Sequence, residues 1–165
     1  MRHKIAAGLG AGLIAGLVLA VLMRILPIWA ANGQPITMLA FATRLIHAES
    51  PLAGWLAYVV YAMVLGGTFG TSLLGRESVR RTALLGGVWA FGWFVVVGLG
   101  LVPALLGSRP FSAPALREFE SIAVPLLVGH IAYGLVLGAG FRLILNALTR
   151  PGSSGRAQPG MRRAA

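Results

Sequence analysis

The sequence predicts an all-α fold: a polytopic membrane protein whose four transmembrane helices form a bundle made of two tandem two-helix repeats. Three observations carry that expectation. The chain of 165 residues is 57% hydrophobic and 11% charged, with a mean hydropathy of +0.81, which is too apolar for a domain that must coat itself in water. It contains four long charge-free stretches, and a helix needs about 20 apolar residues to cross a hydrocarbon core about 30 Å thick. Two passages also resemble each other at a fixed offset: Tyr61-Ala-Met-Val-Leu-Gly-Gly-Thr-Phe-Gly and Tyr133-Gly-Leu-Val-Leu-Gly-Ala-Gly-Phe-Arg lie 72 residues apart.

The first stretch, Ile5 to Met23, ends at Arg24 and predicts a span over about 5–24. Arg2, His3 and Lys4 before it and Ala30-Ala31 after it imitate a secretory signal peptide. Its apolar run is longer than the 7 to 15 residues usual for one, and three further spans follow, so a retained helix is expected. Within it Gly8, Gly12 and Gly16 recur at every fourth position, with Ala7, Ala11 and Ala15 beside them. Small residues at this spacing let helix backbones approach closely in lipid, where no hydrophobic force drives helices together. The expected use is packing within the monomer, and a homodimer through the first helix is the sharper alternative.

The loop that follows is long, and its segment 36–47 is apolar with a few polar residues, which suits an interfacial or re-entrant helix opened by Pro35. Pro51 starts the second span, about 51–75, with Trp29 and Trp55 expected near headgroup level. That helix carries Ala62, Gly66 and Gly70 on one face. A turn containing Arg76, Arg80 and Arg81 leads into the third span, about 82–107, in which Trp89 and Trp93 lie too deep for an interfacial belt and are expected to pack. The fourth span, about 121–146, carries Gly134 and Gly138. Residues 1–149 thus make one four-helix domain, and 150–165, rich in Pro, Gly, Ser and Arg, is expected to be a disordered basic cytoplasmic tail resting on anionic lipid.

The first and third helices align loosely at an offset of 76, Gly16 meeting Gly92 and Leu26-Pro27 meeting Val102-Pro103. Two units that each start and finish on one side are related by an axis along the membrane normal. Orientation comes from the basic residues. The N-terminus, the turn 76–81 and the stretch 142–163 hold ten of them, while Arg24, Arg44, Arg109 and Arg117 lie on the other side, partly offset by Glu49, Glu118 and Glu120. Positive residues resist translocation, so both termini are expected on the cytoplasmic side of a bacterial inner (plasma) membrane. The net charge of +10 would suggest nucleic acid in a soluble protein. Here it speaks for orientation and anionic headgroups, and nucleic acid is not an expected partner.

Polar residues inside the spans are few: Tyr58, Tyr61, Thr68, Thr71, Ser72, His130 and Tyr133, with Arg24 and Arg142 at the ends and no Asp or Glu. Ionisable groups within a bilayer are costly and are the natural place to look for function. His130 shares a helix face with Gly134 and Gly138, and its counterpart at the repeat offset is Tyr58. The three residues His130, Tyr58 and Tyr133 form the candidate polar face, on which His130 is expected to be a neutral histidine satisfied by a tyrosine or a backbone carbonyl. A haem b ligated by His130 is the redox alternative, and it needs His47 to fold inward from the outer loop. No cofactor and no metal is the leading expectation. The absence of cysteine removes disulfides and thiol chemistry, and neither a nucleophile-base pair nor a ligand cluster is visible, so an enzyme is not expected.

The segments Met38-Leu39, Gly54-Trp55, the Gly66 and Gly70 region and Gly129-His130-Ile-Ala-Tyr133-Gly134-Leu-Val-Leu-Gly138 resemble those of small four-helix bacterial integral membrane proteins grouped as a domain of unknown function. The last helix follows a GHxxYGxxLG-type pattern. In such proteins the second helix can carry a histidine where this chain has Tyr58, a departure that weakens a paired-histidine role. The resemblance implies a fold and no activity. Small size and glycine-faced helices suggest a non-catalytic accessory or assembly subunit of a larger membrane complex, such as a respiratory one. The alternatives are a small passive transporter or channel acting as a dimer, and a haem-binding redox protein. Expected partners are lipid, other membrane subunits or a second copy.

Overall fold

The computed structural model describes residues 1–25, 27–29, 34–72, 77–105, 107–112 and 119–149. The basic tail 150–165, Ala30-Ala31, Leu26, Arg76, Arg117 and Glu118 lie outside the described residues. Among the described residues the chain is all-α apart from one short hairpin. Helix α1 is Arg2–Ile25, α2 is Met38–Leu45, α3 is Pro51–Ser72, α4 is Val79–Trp93, α5 is Val102–Leu105 and α6 is Phe119–Thr149; a π-helical stretch, Phe94–Leu101, joins α4 to α5. Four helices are long and apolar enough to cross a membrane: Arg2–Ile25, Pro51–Ser72, Val79–Leu105 and the Ile122–Thr149 part of α6. Their outward faces expose Leu52, Leu56, Val60 and Val64 along α3 and Leu84, Val88 and Phe91 along α4.

Glycines set the helix pairs. A methyl group placed on Gly8 would fall inside van der Waals contact of the Gly66 carbonyl oxygen, one on Gly12 would lie 2.5 Å from Ala62 O, and one on Gly16 would lie 2.8 Å from Ala62 Cβ. Helices α1 and α3 therefore meet backbone to backbone. On the other side of the molecule a methyl on Gly86 would collide with Gly134 O, one on Gly134 would lie 2.6 Å from Ala90 Cβ, and one on Gly138 would collide with Thr82 O, so α4 and α6 meet in the same way. Close approach at small residues replaces the hydrophobic drive that lipid does not supply. Gly92 has nothing within 4 Å of a methyl in its place. It is therefore not the packing equivalent of Gly16, contrary to the alignment at 76.

Between the two pairs, α1 packs on α6 through the buried row Ala7, Ala11, Ala15, with Gly140 against Ala11. Aromatic rings fill the part of the interior toward the α1 N-terminus. Phe69 and Phe141 meet edge to face at 5.6 Å, Phe69 reaches Trp89 at 6.2 Å, and Trp89 reaches Trp93 at 6.2 Å. Both tryptophans pack inside. Ser78 caps α4, its Oγ accepting from Arg81 N at 3.3 Å, and Arg81 pairs with Glu77 at 3.0 Å.

The segment between α1 and α3 departs from the sequence expectation. Pro27–Trp29 and Pro35–Thr37 form an antiparallel pair with Ile28 opposite Ile36, so Pro35 opens a strand rather than a helix. Proline can occupy the first residue of a strand because no ladder hydrogen bond is required of it there. The helix begins only at Met38, where Thr37 Oγ1 accepts from Ala40 N at 3.2 Å and supplies the cap. Helix α2 then packs on α3: Thr43 is buried, donates its hydroxyl to Leu39 O at 2.9 Å, and lies so close to Gly54 that a side chain there would collide with it.

The π-helical stretch has a local cause in Pro103. A proline inside a helix has no N–H to donate and crowds the carbonyl four residues earlier, which is that of Leu99. Leu99 O instead accepts from Phe111 N at 2.7 Å, and Phe111 adopts φ 62° to make the return. The wider π turn relieves the crowding, and Val102 N donates to Val97 O, five residues back.

Candidate functional site

The interior face of each long helix changes in character along its length, and the site sits at the change. On α3, Gly70, Gly66 and Ala62 are followed at the same four-residue spacing by Tyr58; on α6, Gly138 and Gly134 are followed by His130; on α4, Thr82, Gly86 and Ala90 are followed by Phe94. On α1 the row Ala7, Ala11, Ala15 gives way to Leu19 and Met23. Large side chains prevent the backbone contact that small ones permit, so the helices separate. A cavity of about 270 Å³ opens between them, walled by α1, α2, α3, α6 and the π-helical stretch with α5.

Tyr58, Tyr61, His130 and Tyr133 all line this cavity. Among its lining residues there is no Asp, Glu, Lys or Arg, and apart from these four the walls are aliphatic, methionine, phenylalanine or glycine. The three residues of the predicted polar face thus share one chamber, and of the two partners expected for His130, a tyrosine or a backbone carbonyl, it takes the carbonyl. His130 and Tyr58 do not bond to each other. His130 Nδ1 lies 2.8 Å from Leu126 O, one turn back in its own helix, and its ring packs edge to face on Phe94 at 5.8 Å. A carbonyl oxygen only accepts, so Nδ1 carries the proton and Nε2 is left as an acceptor.

Tyr133 donates its hydroxyl to Ala62 O across the interface at 2.6 Å, and its side chain is buried. Ala62 is also where Gly12 and Gly16 approach α3. The bond closes the floor of the cavity where the glycine seams begin. The Tyr58 hydroxyl is buried from solvent and has no hydrogen-bond partner. Trp89 Nε1 is in the same condition, away from the cavity. A buried hydroxyl without a partner forfeits its hydration, a cost of about 1–3 kcal/mol. Serine and threonine hydroxyls of the spans are turned back on their own helices: Thr68 on Leu65 O at 2.9 Å, Thr71 and Ser72 on Thr68 O at 2.8 and 2.9 Å, and Thr82 on Ser78 O at 2.9 Å.

His47 is exposed in the turn after α2, at φ 52°, and is not among the residues that line the cavity with His130. The geometry does not bring the two histidines together as a haem pair. Among the described residues no three His, Cys, Asp or Glu gather as metal ligands would. The cavity wall formed by Val97, Leu101 and Val102 was not anticipated from the sequence. Its signal is present there in hindsight, as Val95-Val-Val-Gly-Leu-Gly-Leu-Val-Pro103 combines a β-branched run, two glycines and a proline. Such a stretch disfavours a regular α-helix.

No family model matches the chain, and neither a curated protein nor a solved structure matches it. The functional reading therefore rests on this geometry.

Proposed function

We propose that this chain is a non-catalytic multi-pass protein of a bacterial inner membrane, with both termini cytoplasmic, acting as an accessory or assembly subunit of a larger membrane complex such as a respiratory one. In this reading the four long helices form a bundle of two tandem two-helix repeats. The equivalence of the two glycine seams supports the repeat: Gly12 stands to Ala62 and Gly66 as Gly86 stands to Gly134 and Gly138. The offset is 72 between α3 and α6 but 74 between α1 and α4, and it reaches 76 only at Pro27 and Pro103. The two additional residues fall where the π-helical stretch absorbs them, since each wider turn accommodates extra chain.

The observation that carries the accessory role is the locked interior. Backbone contact along both seams, the Tyr133–Ala62 bond and the Phe69–Phe141–Trp89 cluster fill the half of the interface toward the α1 N-terminus. The span hydroxyls there serve their own helices. A solid plug on one side of the membrane suits a body that presents surfaces to neighbours, and it opposes conduction of a polar solute. The test is purification from the native membrane in mild detergent, with mass spectrometry of whatever accompanies the protein. Stoichiometric membrane subunits are expected. A protein that elutes alone, at its own mass plus micelle, would count against the role, and a Soret band in the same preparation would favour the haem alternative.

A further inference from the structure

We propose that the chamber is a lateral cleft that takes in one acyl chain of a membrane phospholipid, drawn from the leaflet on the side away from the α1 N-terminus, while the headgroup stays outside. Its shape, its opening and its wall each point to that occupant.

The residues that α3 contributes run from Gly54 through Ala57, Tyr58, Tyr61 and Ala62 to Leu65, one continuous helix face. Gly54 to Leu65 is about 16 Å of helix at 1.5 Å per residue, close to the depth of one leaflet in a hydrocarbon core about 30 Å thick. Across the gap Val97, Leu101, Val102 and Leu105 repeat a similar spacing along the π-helical stretch and α5. The chamber is thus a slot parallel to the helices. An apolar cavity of about 150 Å³ takes up benzene, so about 270 Å³ holds roughly ten carbons by the same ratio. Ten carbons in a row extend roughly 12 Å with bonds of about 1.5 Å, which fits the slot, whereas a helix about 10 Å across does not.

The slot is open on one side. No packed seam joins α3 to the π-helical stretch or α5, and Tyr61 on one lip and Leu101 and Leu105 on the other line the chamber while also being exposed on the outward surface. Around helices of membrane-crossing length that surface is covered by lipid tails, so the slot is continuous with the lipid-facing surface and a chain enters sideways. Leu19 and Met23 of α1 and Gly129 and His130 of α6 close the back, and the Tyr133–Ala62 bond closes the floor.

The accessible wall is almost wholly carbon. The Tyr58 hydroxyl shows essentially no surface to the chamber, the Tyr133 hydroxyl is taken by Ala62 O, and His130 Nδ1 is taken by Leu126 O. A buried water makes about three hydrogen bonds and finds no such set here, and a polar ligand would lose its hydration without replacement. A hydrocarbon chain loses nothing on entry and supplies the dispersion contacts that an empty slot forfeits. This inference rests on the chain spanning a bilayer and is independent of partner subunits: co-purification reads the accessory role, and lipid labelling reads the slot.

The test is photolabelling of the full chain in phosphatidylcholine nanodiscs doped with phosphatidylcholine that carries a diazirine either at the end of one acyl chain or near its ester, with the adducts mapped by mass spectrometry. Label is expected on the back wall, at Leu126 and His130, as well as on the outward face of α3 at Val60 and Val64, which do not line the slot. Within the slot the chain-end probe should mark residues near the floor, such as Leu65, and the ester-proximal probe residues near Ile46 and Leu105. Ala57→Phe and Val97→Phe each add a ring from one of the two facing walls. Each is expected to abolish the back-wall label and keep the label at Val60 and Val64, with circular dichroism and elution volume matching the parent chain. Val64→Phe, which adds the same ring to the outward face, should leave the back-wall label unchanged. Label confined to outward faces in the parent chain would overturn the proposal. So would a back-wall label that survives in both folded slot variants, or the two probes marking the slot in the reverse order of depth.

Discussion

The two halves of this molecule use the same four helices in opposite ways. In the half that contains the α1 N-terminus, glycine and alanine at every fourth position bring backbones into contact, and Phe69, Phe141 and Trp89 occupy what remains. In the other half, Leu19, Met23, Tyr58, Phe94, Leu126 and His130 stand at the continuing positions of the same faces, and the helices enclose a cavity. The switch comes within one turn on each helix. A membrane protein cannot rely on water to press its helices together, so side-chain size along a face decides directly whether backbones meet or part. Tyr133 marks the boundary, its hydroxyl bonded to the Ala62 carbonyl where the α1–α3 seam ends.

Substitutions on the two sides of that boundary should behave differently. The largest effect is expected in the seams: Gly66→Leu would drive a side chain into Gly8 O and Gly12 and cost about 3 kcal/mol or more, as overpacking of a closed interface does. The check is thermal unfolding in detergent, where early aggregation is expected, against Gly92→Leu, which enters open space and should unfold with the parent chain. Equal behaviour of the two would break the contrast between packed and open faces. Next comes Tyr133→Phe, which removes the bond at the boundary and leaves a buried carbonyl with less than its share. Interhelical hydrogen bonds in membranes are worth about 0.6 kcal/mol on average and up to about 1.7, so a loss of about 1 kcal/mol in a reversible unfolding assay is expected.

Smaller effects should carry the opposite sign. Gly92→Ala places a methyl where nothing lies within 4 Å and lowers the conformational entropy lost in the helix, for a gain of about 0.5–1 kcal/mol. A loss would mean that Gly92 faces a neighbour, as the offset of 76 would require. Smallest of all, Tyr58→Phe removes a buried hydroxyl that has no partner and should leave stability unchanged or raise it by less than about 1 kcal/mol. Set beside Tyr133→Phe in the same assay, it compares the same chemical change on two sides of one boundary. A clear loss at Tyr58 would show a protein partner for that hydroxyl and sharpen where the cavity ends.

Much of this was legible in the sequence. The long apolar helices are readable because a bilayer demands unbroken apolar length, and charges such as Arg24, Glu49 and Arg109 stand between the apolar stretches. The seams are readable because small residues every four positions lie on one helix face, as at Gly8, Gly12 and Gly16. That Tyr58, His130 and Tyr133 would face one interior followed from the same spacing. Their hydrogen bonds did not follow. Whether His130 reaches Tyr58 or its own Leu126 carbonyl depends on distances across a cavity whose width no local pattern sets. The hairpin Pro27–Trp29 with Pro35–Thr37 was missed for a related reason, since Ile36 to His47 reads as one apolar segment and only its pairing with the preceding strand shows where its helix begins.

Composition and periodicity by themselves determined that this protein has four apolar helices of membrane-crossing length and which faces of them can touch, because both are properties of single helices: length against bilayer thickness, and residue size along a face. Tertiary structure alone decided the rest. It chose Ala62 O for Tyr133, left Tyr58 without a partner and let Leu99 O turn to Phe111. It also opened a chamber where four large-residue faces coincide at one depth. Those outcomes depend on how far apart helices stand once all of them are packed, and that distance is set by every face at once.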